Sequence, residues 1–123
     1  MDVSRKREVE KIRVSEKIYL DVLRYLMDKY GSINRHIYKL LDEALERYLA
    51  KRMSNPQLPS GFTSRHYVHR FGKFAQVLTT LKPEIKRMLD EYVNELSKRY
   101  GVRYGLKRVI VEEALTEYLK GEA

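Results

Sequence analysis

The chain contains the same segment twice, and this repeat limits the folds that it can adopt. Residues 42–49 read Asp-Glu-Ala-Leu-Glu-Arg-Tyr-Leu, and residues 112–119 read Glu-Glu-Ala-Leu-Thr-Glu-Tyr-Leu. The pair Tyr30-Gly31 recurs as Tyr100-Gly101, so both matches lie 70 residues apart (112 − 42 and 100 − 30). Two copies are too few for a solenoid, which needs about three stacked repeats. The repeat therefore predicts a fused dimer, in which each copy covers the apolar face of the other.

A short strand is predicted at the beginning of each copy. In copy one, Ile12 and Val14 alternate with Lys11 and Arg13, which predicts a half-buried strand over residues 9–15. If the apolar pair faces the core, the two cations face outward, and Val9 belongs to the same outward set. These outward positions are candidates for contact with a partner.

The strand of copy two is predicted over residues 76–81, and its two faces are less clearly distinguished. An inward Leu81 puts Gln76, Leu78 and Thr80 on the outward face. A slip of one residue exchanges the two faces, because successive side chains of a strand point in opposite directions.

Two helices are predicted to follow each strand. In copy one, Ser15 is the predicted N-cap of the first helix, Gly31 its terminator, and Ser32 or Asn34 the cap of the second helix. In copy two, Pro83 suits a first helical turn. The strand of copy two lies about 67 residues after its counterpart (76 − 9) rather than 70, which predicts one extra helical turn there. The tyrosines of the helical stripes are predicted to lie in the core: Tyr19, Tyr30, Tyr48, Tyr100 and Tyr118.

The two copies are separated by a segment without carboxylates. No Asp or Glu occurs between Arg47 and Pro83. We therefore divide the chain into a first unit at residues 1–50, a basic linker at residues 51–73 and a second unit at residues 74–123. The linker cations Arg65, Arg70 and Lys73 are predicted to add salt-sensitive contacts to an anionic partner. The alternative is a solvated spacer.

Composition narrows the classes of partner and of chemistry. The chain has 25 Lys and Arg against 17 Asp and Glu, a net charge of +8, which favours a nucleic-acid partner. The absence of cysteine excludes disulfides and thiolate metal sites. No apolar run approaches the ~20 residues of a membrane span, and no signal peptide is recognised. We expect a location in the cytoplasm or host-cell interior, associated with the nucleoid.

Catalysis is not predicted. His66 and His69 lie close in sequence and His36 lies far from them, while a zinc site needs three or four ligands and the linker has no Cys, Asp or Glu. No nucleophile elbow, phosphate loop or dinucleotide-binding glycine pattern occurs. We therefore expect neither an enzyme nor a metal, a cofactor or a small-molecule substrate.

Three short segments resemble a known family of DNA-binding proteins. Residues 32–38, Ser-Ile-Asn-Arg-His-Ile-Tyr, resemble the segment that opens the second helix of Arc-type repressors. Residues 20–23 are similar to the first helix of that group, and residues 81–85 resemble the broader CopG/MetJ-type pattern. Over residues 9–49 and 74–119 the chain is thus similar to the ribbon-helix-helix family. The resemblance implies a mainly α fold with a short two-stranded antiparallel β-ribbon, in which two units of one chain form a pseudo-dimer.

The resemblance also implies a function and a set of contacts. The family inserts its ribbon into the major groove of double-stranded DNA, so this chain would be a sequence-specific transcriptional regulator or repressor, with further self-association on DNA as an open property. The residues implied for base readout are Lys11, Arg13, Gln76, Leu78 and Thr80. Those implied for phosphate contact at the second helix starts are Ser32, Ile33, Asn34 and Arg35 in copy one, and Arg103, Tyr104, Gly105 and Lys107 in copy two.

Three other functions remain open from the sequence. The first is a ribbon-helix-helix antitoxin or plasmid partition protein, in which the basic linker would have to bind the partner. The second is a helical interaction module that does not bind DNA and whose positive charge is incidental. The third is a small RNase, against which the missing set of acids and nucleophiles argues.

Overall fold

The order strand–helix–helix occurs twice in this computed structural model, which describes residues 8–33, 36–59, 74–101 and 105–122. The first copy contains β1 (Glu8–Ser15), α1 (Glu16–Tyr30) and α2 (His36–Arg52). The second copy contains β2 (Phe74–Leu81), α3 (Pro83–Tyr100) and α4 (Leu106–Glu122). The expectation of a mainly helical fold with two strands is therefore confirmed. The linker cations Arg65, Arg70 and Lys73 lie outside the described residues.

The two strands pair with each other across the two copies. β1 and β2 run antiparallel, with Glu8 opposite Leu81 and Ser15 opposite Phe74. Within the described residues the pair has no third strand. Each strand therefore obtains its ladder hydrogen bonds from the other copy, because a lone strand leaves its backbone donors and acceptors unpaired. Both strands begin earlier than predicted, at residues 8 and 74 instead of 9 and 76.

The ends of α1 and α3 follow local signals. The Ser15 hydroxyl accepts a hydrogen bond from the Ile18 N–H at 3.4 Å, as expected of an N-cap. Gly31 and Gly101 end the two helices with φ of 73° and 70°, in the left-handed region that glycine adopts at little cost. α1 has 15 residues and α3 has 18, so the three additional residues supply the extra turn predicted for copy two.

The second helix of copy one begins later than predicted. Ser32 and Ile33 lie before the helix, and α2 begins at His36. The His36 N–H donates to the Ile33 carbonyl at 3.0 Å, which ties the first residue of α2 to the segment after α1. Asn34, the other predicted cap, lies outside the described residues.

The core lies beneath the strand pair and contains side chains from all six elements. Its fully buried residues include Leu26, Leu45, Leu81, Leu96 and Ile110. The prediction that the helical tyrosines are core residues is confirmed for Tyr48 and Tyr118, and Tyr92 joins Tyr48 in an edge-to-face contact with ring centroids 6.4 Å apart.

The core prediction was wrong for Tyr30 and Tyr100, which are 48% and 43% exposed. Each is the last residue of its helix, immediately before the terminating glycine. A ring at the end of a helix is covered on fewer sides than one in the middle, so both side chains remain almost half exposed, although His36 covers one face of the Tyr30 ring, with the ring centroids 4.0 Å apart.

The two copies are joined by matched hydrogen bonds between their second helices. The Tyr48 hydroxyl donates to Glu113 Oε1 at 2.7 Å, and the Tyr118 hydroxyl donates to Glu43 Oε2 at 2.9 Å. The tyrosines are 70 residues apart (118 − 48), as are the glutamates (113 − 43). Burial and the facing carboxylates raise the pKa of both phenols, so both hydroxyls remain protonated donors. Each copy thus supplies the donor of one bond and the acceptor of the other.

Candidate nucleic-acid interface

The strand pair has one face on the core and one face away from it. Ile12 and Val14 of β1 and Leu81 of β2 are buried, whereas Arg13, between the first two, is exposed. Because residues along a strand alternate between faces, the buried residues fix the face to which each register position belongs. The sequence predicts that Gln76, Leu78 and Thr80 lie on the outer face if Leu81 points inward. Leu81 is buried, so this condition is met.

The five positions predicted for base readout share that outer face. In the antiparallel register, residues directly opposite each other lie on the same side of the pair. Together with Val9 the positions form three cross-strand pairs: Val9 opposite Thr80, Lys11 opposite Leu78, and Arg13 opposite Gln76. The side chains that the structure describes among them are Arg13, which is exposed, and Thr80, which is partly exposed.

The start of α2 combines predicted and unpredicted residues. Ser32 and Ile33 are partly buried and precede the helix, while Asn34 and Arg35 lie outside the described residues. His36, the first residue of α2, stacks on Tyr30, with ring centroids 4.0 Å apart and an angle of 4° between the planes. Sequence analysis did not foresee this stack, because the two rings come together only when the turn between α1 and α2 is formed.

The start of α4 occupies the equivalent place in copy two. Gly105 immediately precedes the helix with φ of 75°, a conformation that favours glycine. Its carbonyl accepts from the Val109 N–H at 3.1 Å. Lys107 lies in the first turn, with its Nζ 3.4 Å from Oδ1 of Asp90 on α3. The first N–H groups of a helix lack intrahelical partners and attract anions. Arg103 and Tyr104 lie outside the described residues.

Two buried carboxylates, which sequence analysis missed, support the ends of the strands. Asp42 of α2 accepts from the Lys82 N–H at 3.2 Å, and Glu112 of α4 accepts from the Ser15 N–H. Ser15 and Lys82 are the N-cap positions of α1 and α3, so each acid holds the strand–helix junction of the other copy. The signal was present in the repeat, since both acids stand at the same place in it (112 − 42 = 70).

The environment of Glu112 alters its proton affinity. Burial raises the pKa of this carboxyl from 4.5 to about 7, whereas hydrogen bonds from the backbone and side chain of Ser15 lower it. Burial has the larger effect because an ionised carboxylate loses more hydration than a neutral acid. Between pH 4.5 and about pH 7 the folded chain therefore binds more protons at Glu112 than the unfolded chain does.

Glu112→Gln should therefore change the pH dependence of stability. For an acid whose pKa is raised by folding, the free energy of unfolding falls as the pH rises from 4.5 to about 7 and is constant above that. The amide keeps an acceptor for the Ser15 N–H but does not titrate, so we expect the variant to lose this decline. Denaturant titrations at about pH 5 and about pH 8 measure the difference.

Glu91→Gln, at an exposed position of α3, serves as the control and should keep the wild-type pH profile. An unchanged profile in Glu112→Gln would contradict the assignment.

A partly open cleft of about 610 Å³ lies at the C-terminal end of α2. Arg52 lines it and is already engaged, with two hydrogen bonds to Glu117 at 3.3 and 2.5 Å and its guanidinium carbon 3.9 Å from the Tyr48 ring centroid. In the described ranges no group of three or more potential metal-ligating side chains occurs. The helices of the described chain are too short or too polar to cross a membrane.

No family model, curated protein or solved structure matches this chain. A functional conclusion therefore has to rest on the strand register, the helix starts, the charge and the repeated contacts.

Proposed function

We propose that this chain is a single-chain pseudo-dimer of the ribbon-helix-helix type that binds double-stranded DNA sequence-specifically and regulates transcription. The matched contacts between the copies support the pseudo-dimer. Two cap bonds, Glu112 to Ser15 and Asp42 to Lys82, and two tyrosine–glutamate bonds each cross from one copy to the other. A homodimer would form such bonds in identical pairs, and this chain forms them in pairs of similar residues.

The observation that carries the proposal is the register of the strand pair. Its buried residues occupy one face, and Lys11, Arg13 and Gln76 occupy register positions on the other. A two-stranded ribbon fits the major groove of B-DNA, which displays a distinct pattern of donors and acceptors for each base pair. Lys and Arg read guanine, Gln reads adenine, and an apolar side chain such as that of Leu78 can meet a thymine methyl group.

The two strands present different chemistry to the groove. β1 contributes cations at Lys11 and Arg13, whereas β2 contributes neutral residues at Gln76, Leu78 and Thr80. A homodimer repeats one strand and reads a two-fold-symmetric site. The fused chain can read a site whose halves differ. It would act by occluding a promoter or by recruiting another protein there, without chemistry of its own.

The helix starts provide the accompanying phosphate contacts. The starts of α2 and α4 offer backbone N–H groups to an anion, and Lys107 adds a cation at the second of them. The net charge of +8 supplies long-range attraction to DNA. Phosphate contacts position a protein on the duplex and base contacts specify the site, so the two sets have separable effects on binding.

Selection of bound sequences from random duplex DNA, followed by footprinting of the selected sequence, tests the proposed function. We expect a defined site with unequal halves, protected over the groove in which the ribbon lies. Recovery of random sequences without enrichment, or no retention of DNA at low salt, would instead favour the helical interaction module.

Lys107→Ala should weaken binding to all duplexes alike. Removing one phosphate contact lowers the slope of log affinity against log salt by about 0.9, and fluorescence anisotropy over a salt series measures that slope. The Asp90 contact of Lys107 is exposed to solvent, so its loss should have little effect on stability. Lys120→Ala is the control, because this exposed lysine lies 13 residues along α4 (120 − 107), about 20 Å away. Equal slopes for both variants would contradict the assignment to α4.

A further inference from the structure

Two stacked rings join the end of α1 to the start of α2. Tyr30 is the last residue of α1 and His36 is the first residue of α2. Their ring planes differ by only 4° and their centroids are 4.0 Å apart. Tyr30 is 48% exposed and His36 is partly exposed, so the stack lies at the surface. It therefore adds little to the core, and its effect is to fix one helix end against the other.

A lysine ties the stack to the rest of α1. The Lys29 ammonium donates to the Tyr25 hydroxyl at 3.0 Å and lies 5.5 Å from the ring centroids of both Tyr25 and Tyr30. These distances are within the ~6 Å range of cation–π attraction. Tyr25 in turn meets Tyr118 of α4 edge to face, with centroids 6.1 Å apart. A continuous series of contacts thus connects the start of α2 to a side chain of copy two.

Copy two holds its second helix start in another way. Adding 70 to positions 25, 29, 30 and 36 gives Glu95, Arg99, Tyr100 and Leu106. Leu106, the first residue of α4, is fully buried, so it fastens that helix start to the core. Arg99 pairs with Glu95 at 3.2 Å. Copy one therefore has a stack of rings at the surface at the place where copy two has a buried leucine.

The stack adjoins the place where the proposed function requires a phosphate contact. The first N–H groups of a helix attract an anion, and a group that is already held in position loses less conformational entropy when it binds. The His36 N–H donates to the Ile33 carbonyl at 3.0 Å, so the same residue closes the segment before α2 with its backbone and stacks with its ring. Fixing the His36 ring consequently fixes the backbone of the helix start.

We propose that the Tyr30–His36 stack positions the start of α2 for its contact with a DNA phosphate, with Lys29 fixing the Tyr30 ring. This role rests on the proposed function, because it requires DNA as the partner. Tyr30 and His36 are positioning residues: they act through the backbone of α2 and do not themselves touch the phosphate. Loss of the stack should weaken one of the two helix starts and leave that of α4 intact.

Binding to a fluorescein-labelled duplex of arbitrary sequence at low salt tests the role, because phosphate contacts do not depend on sequence. From the strength of an aromatic pair we expect His36→Ala and Tyr30→Leu each to lower the affinity about two- to tenfold. His36→Phe keeps a planar ring for the stack but has no N–H donor in that ring, so it should bind with wild-type affinity and an unchanged salt slope. Tyr100→Leu, at the equivalent position of α3, is the control and should also bind like the wild type.

Hydrogen exchange measured by NMR without DNA follows the helix start directly. The amide of residue 36 should lose protection in His36→Ala and Tyr30→Leu and regain it in His36→Phe, while the thermal unfolding midpoint changes little because the stack lies at the surface. Unchanged protection in His36→Ala would show that the stack does not hold the helix start, and would overturn the proposal.

The binding results distinguish this role from the proposed function. If His36→Phe lost as much affinity as His36→Ala, the imidazole itself would contact DNA and the positioning role would be wrong. Wild-type affinity in His36→Ala would also refute it. In both cases the wild-type chain still binds DNA and the proposed function stands, whereas failure of the wild-type chain to retain any duplex would remove both.

Discussion

A fragment of residues 1–53 will not fold as a monomer. It retains β1, α1 and α2 but loses the strand that pairs with β1. It also loses the hydrogen bond that the Lys82 N–H donates to Asp42. Tyr48 also loses its acceptor, Glu113. The isolated fragment would expose most of the apolar surface that the second copy covers, and about 50 residues cannot bury enough of it by themselves.

Circular dichroism and sedimentation of the fragment measure this outcome. We expect either an unfolded chain or a homodimer in which two first copies replace the natural pair. Addition of a fragment of residues 74–123 should restore a folded heterodimer, which controls for damage caused by truncation. A stable folded monomer of residues 1–53 would refute the fused-dimer architecture.

Arg13→Ala will reduce affinity for the selected DNA site and relax the base preference at one position. Arg13 is exposed beside two buried neighbours of β1, Ile12 and Val14, so its removal should leave the core intact. Losing a bidentate contact to a base costs about 1–3 kcal/mol, which corresponds to a loss of affinity of about 5- to 150-fold. Binding to unrelated duplexes should fall much less.

Competition binding with the selected site and with single-base variants of it separates these effects. Lys51→Ala, at an exposed position near the C-terminal end of α2, is the matched control for the loss of one positive charge. If Arg13→Ala weakened all duplexes equally, as expected for a phosphate contact, the assignment of β1 to base readout would be wrong.

Residues that are close in sequence determine the elements of this fold and their ends. The alternation of Ile12 and Val14 with charged residues indicated β1, and Gly31 and Gly101 marked the ends of α1 and α3. The 70-residue repeat indicated that one unit occurs twice. The predicted strands are only 67 residues apart (76 − 9), and this shorter spacing indicated the longer α3. These features depend on local backbone preferences and on the periodicity of apolar residues, both of which are visible in a linear sequence.

Contacts between the copies decided the rest. The Ser15–Glu112 bond joins residues 97 apart and the Lys82–Asp42 bond joins residues 40 apart, so no local pattern could show that these acids are buried. The outer face of β2 likewise depended on the burial of Leu81, because a strand with mixed residues on both sides does not specify which side packs. Exposure of Leu20, Met27 and Tyr30 was also decided in three dimensions, since a helical stripe becomes core only where another element covers it.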